Sequence, residues 1–146
     1  MSDDSPEILA DDAELLYRQV HPSFVRDGRP SSQAFRPTPK DENKLSVARA
    51  ARTTAQAAYE HFTGTLGLAS AGTWGITVGE CGQQGLPARP DPLTSPPAKA
   101  ADLAHAVIDF TGVSKSQAEA KATRLARGAV ARGRLHPPPP PAAPAS

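Results

Sequence analysis

Side chains able to do chemistry are dense in one stretch of this 146-residue chain, LLYRQVHPSFVRDGRPSSQAFRPTPKDENKLSV, residues 15–47. Arg18, Arg26 and Arg29 carry guanidinium forks, which match phosphate or carboxylate with parallel hydrogen bonds. His21 can exchange a proton near neutral pH. Ser31 and Ser32 supply hydroxyls. Further along, Glu80 supplies a carboxylate, a group suited to steadying a developing cation. Arg18, His21, Ser31, Ser32 and Glu80 around one pocket would make an enzyme acting on a phosphate-bearing ligand.

The same stretch has a non-catalytic use. Arginine and aromatic side chains dominate the energetics of protein interfaces. Arg18, His21, Arg26, Arg29 and Phe35 are therefore candidate anchors for a partner protein. Tyr17-Arg18 on a first strand, a serine pair near a second and Glu80 at the end of a later one have a further meaning. They resemble the Arg–Ser–Glu pattern of mono-ADP-ribosyltransferases, over three short stretches. The resemblance implies that Arg18 would hold a dinucleotide phosphate. It implies that Ser31 or Ser46 would support the site and that Glu80 would stabilise an oxocarbenium-like transition state. The chain departs from that pattern in lacking a full Ser-Thr-Ser element. It also has Val78 where the family carries a second Glu or Gln.

Other chemistries find less support. His21, His61, His105, His136 and Cys81 show no ligand-pair spacing, so no metal site is expected. Cys81 sits between Glu80 and Gly82, and an adjacent carboxylate opposes the thiolate a nucleophile needs. Neither G-x4-G-K-[ST] nor G-x-G-x-x-G occurs, so no nucleotide-binding loop and no cofactor are expected. Lys121, Arg124, Arg127 and Arg132 could contact nucleic-acid phosphates, but no aromatic residue accompanies them for base stacking.

These residues need elements to hold them. LLYRQV (15–20) predicts a strand, ended by His21-Pro22 because proline lacks a ladder donor. Residues 22–43 predict a long loop, with a brief strand at SSQAF; loops of this length are often functional. KLSVA (44–48) predicts a second strand. Thr53–Phe62 predicts a helix, with Thr53 and Gln56 at capping-box spacing and Gly64 and Gly67 beyond it. GTWGITVGEC (72–81) predicts a strand with Trp74, Ile76 and Val78 on one side. Gly82–Ala98 predicts a connection, and AHAVIDF (104–110) a buried strand. Ser114–Arg132 predicts a second helix, with Ser114 and Gln117 at capping-box spacing, Gly133 as its stop and Ala118, Ala122, Leu125, Ala129 and Val130 on its packed stripe. The expectation is an α+β fold: a small mixed or antiparallel sheet of about four strands, with two helices packed on one face. Residues 1–10 predict a flexible acidic N-terminus, 11–135 one domain and 136–146 a proline-rich tail. Five consecutive prolines in that tail favour polyproline II, a form that docks into aromatic grooves. No internal repeat occurs.

Composition limits the function. The net charge is +1, so bulk electrostatics name no partner, although the first residues are acidic and residues 114–134 basic. Such asymmetry predicts ends that neutralise each other or an arm meant for a partner. One cysteine excludes a disulfide framework, and no stretch approaches the ~20 apolar residues of a membrane span. The N-terminus lacks an apolar signal core, which predicts a cytoplasmic protein. Ala-, Arg- and Pro-rich usage suggests a bacterial source. The leading expectation is an interaction or accessory protein, a subunit or adaptor of a larger bacterial system. The enzyme and the nucleic-acid binder are its alternatives.

Overall fold

Alternating apolar residues build the frame of the computed structural model, which describes residues 7–38, 42–94 and 101–137. The strands are β1 (Leu15–Val20), β2 (Val25–Arg26), β3 (Arg29–Pro30), β4 (Lys44–Arg49), β5 (Gly72–Thr77), β6 (Ala88–Pro90) and β7 (His105–Asp109). The helices are α1 (Ala55–Glu60), α2 (Val78–Gln83) and α3 (Lys115–Arg132). Five strands form one sheet in the order β5-β1-β4-β7-β6, with β2 and β3 as a separate ribbon. Every pairing is antiparallel. The architecture is thus the expected α+β fold with a five-stranded antiparallel sheet. No helix among the described residues is long and apolar enough to cross a membrane.

The register assigns the two faces. Leu16 lies opposite Ile76 and Arg18 opposite Trp74. Leu45 lies opposite Ile108 and Val47 opposite Ala106. Apart from Arg18, these residues are buried and belong to one core with Phe35, Leu86 and Cys81. α3 closes this core face with Ala122, Leu125, Ala126 and Ala129. Both halves of the expected capping box form, Gln117 N to the Ser114 hydroxyl and Ser114 N to the Gln117 side chain. Gly133 ends the helix at φ 89°, a conformation glycine adopts without strain.

On the second face Tyr17 and Gln19 lie beside Gly75 and Thr73, and Ala48 and Ser46 beside His105 and Val107. α1 lies over part of this face, and none of its own residues is buried. The helices therefore occupy both faces of the sheet, not one as expected.

Neither sheet edge is open. At the β5 edge Leu135 donates to the Thr73 carbonyl and Thr73 donates to that of His136. At the β6 edge Leu9 donates to the Ala88 carbonyl, and Pro90 has no N–H to offer. Leu9 is buried, so the expected frayed segment 1–10 contributes a core residue. The rest of the expected proline tail, residues 138–146, lies outside the described residues.

Four further expectations change. The strand expected over 72–81 stops at Thr77, because Thr77 and Glu80 form a capping box that starts α2. The connection expected over 82–98 contains the fifth strand, β6. The expected loop 22–43 contains 3-10 turns at Pro22–Phe24 and Ser32–Phe35, and the β2–β3 hairpin. SSQAF is thus a turn rather than a strand. Asp27 and Gly28, at φ 54° and 75°, make the two-residue turn of the β2–β3 hairpin, the backbone that suits the strand twist. α1 begins one residue later than expected, with Thr54 rather than Thr53 accepting from Ala57 N, while Gln56 bonds Glu60.

Candidate functional site

Arg18 is held as a clamp inside the fold. Its Nε donates to the Ala34 carbonyl at 2.8 Å and an Nη donates to the Ser46 carbonyl at 2.9 Å. The β1–β4 ladder ends at Tyr17–Ala48, so the guanidinium joins the strands where they diverge. It also anchors the turn that carries Phe35. Phe35 is fully buried, which corrects its expected place as a contact anchor.

The rest of the candidate set is dispersed. His21 caps the first 3-10 turn, accepting from Ser23 N, and its ring packs against Phe24 in a T-shaped arrangement. Ser31 lies beside the Ala34 turn, with its hydroxyl buried and without a partner. Ser32 is half-buried in the same turn. Glu80 accepts from Thr77 N at 2.7 Å and pairs with Arg132 at 3.2 Å. It lines a cavity with Asp12, Thr77 and Gln83, whereas Arg18 borders a different one. The Arg–Ser–Glu arrangement implied by the transferase resemblance therefore does not assemble. Arg26 and Arg29 face each other across the hairpin, exposed and without an acidic partner among the described residues.

Cys81 is enclosed in α2. Burial first, and then the neighbouring Glu80 carboxylate, push its thiol up to about 12 against a backbone hydrogen bond that favours thiolate. At neutral pH it is an uncharged core group. The basic set on α3 is largely engaged. Lys121 and Arg124 bond Gln84, through its carbonyl and its side chain, and Arg132 bonds the Gly75 carbonyl and Glu80. Arg127 is exposed. The buried acid of the N-terminal segment, Glu14, pairs with Arg49 rather than with this helix.

A further cavity lies elsewhere, on the second face of the sheet. It is a groove of about 570 Å³. Tyr17, Gln19, Ser46 and Ala48 form its floor. One wall is α1 with the following π-turn (His61–Thr65), and the other is the segment 101–104. Ser46 sits on the central strand of the five, yet is exposed. Leu68 and Leu103 line the mouth while 49% and 63% exposed. His61 and Asp102 approach to 3.9 Å between the walls. The Gln19 carboxamide holds Ser70 and Thr73 through one of its polar atoms, leaving the other without a partner.

Sequence reasoning missed this site. Its walls come from segments about forty residues apart, and leucines in loops carry no periodic signal. Gln19 and Ser46, polar positions on predicted strands, were the available hint of a face turned to solvent. No three His, Cys, Asp or Glu side chains gather as a metal-ligand group among the described residues. No protein-family model, curated protein or solved structure matches the chain.

Proposed function

We propose that the protein is a non-catalytic interaction protein and that the groove on the second sheet face is where it receives an apolar segment of a partner. The observation that carries this reading is a central-strand residue, Ser46, left exposed at the floor of a groove whose mouth holds two exposed leucines. A central strand is normally covered on both faces or solvated through polar residues. Ser46 fits the second case, but the apolar walls beside it are also presented to water, which favours an occupant. Closed sheet edges argue against strand addition as the mode of binding. The cytoplasm suits such an adaptor, whose one cysteine is held as a buried thiol.

The reading moves the contact surface from the 22–43 excursion to the opposite side of β1. Its probe is the fluorescent apolar anion 1-anilinonaphthalene-8-sulfonate. Saturable binding to the native chain, weakened at least about tenfold by Ser46→Phe, is the expected result. Native protein that binds no dye at a dilution where it is monomeric, or binds it equally after that substitution, would remove the groove from consideration.

A further inference from the structure

The patch that holds the groove also holds what could fill one. Leu68 and Leu103 project from the mouth of a groove large enough for both, so knob and hole share one surface. A two-fold interface needs that property, since the same patch must meet itself. We infer that the occupant is a second copy of this chain, packed face to face so that each copy's leucines enter the other's groove. The inference rests on the groove being an interaction surface and adds the identity of the partner.

Charge supports self-recognition over a partner of one sign. Around the groove stand an exposed cation, Arg52, with no ion pair among the described residues, and two acids, Asp91 and Asp102. Asp91 lies 3.1 Å from His105 and keeps 51% of its side chain exposed. A rim carrying both signs holds the opposite charges that a two-fold pairing brings together, whereas a strongly acidic or basic partner meets like charge somewhere on it. The net charge of +1 leaves little repulsion between copies.

Sedimentation velocity of the full chain from about 1 µM to about 500 µM tests this, because a homodimer dissociates on dilution. The expected result is a dimer whose Kd rises at least about tenfold with Leu68→Glu or Leu103→Glu. Both sites are exposed, so far-UV circular dichroism should be unchanged. Ile8→Glu alters a leucine-like residue that is 55% exposed away from the groove, and should leave the Kd as it is. A wild type that stays monomeric throughout overturns the inference. So does a dimer indifferent to both leucine substitutions, or one that Ile8→Glu weakens equally. A monomer whose dye binding is lost in Ser46→Phe removes only the second copy, and the groove then serves another apolar partner. A monomer that binds no dye removes the groove reading as well.

Discussion

Replacing Arg18 by methionine separates a structural clamp from a ligand-holding arginine. Methionine keeps most of the aliphatic stem, so the change removes the guanidinium's bonds, chief among them those to Ala34 and Ser46. The Ala34 bond is partly buried, and its loss leaves a carbonyl with little access to water, at about 1.5–2 kcal/mol for a bond from a charged donor. The Ser46 bond is exposed, and water replaces much of it, so about 0.5 kcal/mol is reasonable there. The expected loss is about 2 kcal/mol. With a urea slope of about 1.5 kcal/mol per molar, the unfolding midpoint falls by a little over ~1 M at unchanged slope. Arg18→Ala also removes stem packing and should cost about 3 kcal/mol. A midpoint that moves by less than about 0.2 M in Arg18→Met would refute the clamp and return Arg18 to the list of ligand-binding residues.

Phe35→Ala should cost about 3–5 kcal/mol in the same urea assay, as for a fully buried ring, and a loss below ~1 kcal/mol would put the ring back on the surface. Cys81 should resist iodoacetamide at pH 8 until the protein unfolds. Because its folded value of about 12 lies above the unfolded one, its contribution to stability is complete below about pH 8.5 and declines above it. Rapid native alkylation would contradict its burial. At Asp109, desolvation favours the protonated acid, but bonds from Thr111 and from Arg89 outweigh it and hold the carboxyl below its ordinary value. That contribution is present above an unfolded value of about 3.9 and disappears as pH falls through the lower folded value. The stability gap between wild type and Asp109→Asn should therefore narrow between pH 6 and pH 3, and a constant gap would show that the ion pair is not responsible. Thr77→Ala should cost about 1 kcal/mol through loss of the α2 cap, read by urea unfolding, with a neutral effect ruling the cap out.

What could be read from the chain was what neighbouring residues decide. β1, β4, β7 and α3 follow from short strand-like runs, the apolar run 104–110 among them, from His21-Pro22 and from the Ser114–Gln117 box, and each lies within a residue or so of its expected limits. Where two local signals competed, the weaker-looking one won. Alternation through Trp74, Ile76 and Val78 favoured a longer strand, but the Thr77-x-x-Glu80 box turns the chain into α2. Asp27-Gly28 was a legible hairpin signal inside a segment whose prolines and charges suggested a loop. The roles of Arg18, Phe35 and Glu80 were not legible, because each depends on a partner from a distant segment: Ser46 for Arg18, the sheet for Phe35, Arg132 for Glu80. The groove was hidden for the same reason. It exists only once α1 and residues 101–104 stand apart over the same strands.

The central claim is that the half-covered second face, rather than the 22–43 excursion, is where the protein meets its partner. With Cys81 buried, a photoreactive maleimide can be attached to one added cysteine at a time, at Leu103→Cys beside the groove or at Arg29→Cys on the hairpin. Illumination of the labelled full chain at the protein's cellular concentration in its own cells should give discrete adducts, to a second copy or to another protein, from position 103 and few from position 29. Adducts from position 29 with none from position 103 would contradict the account.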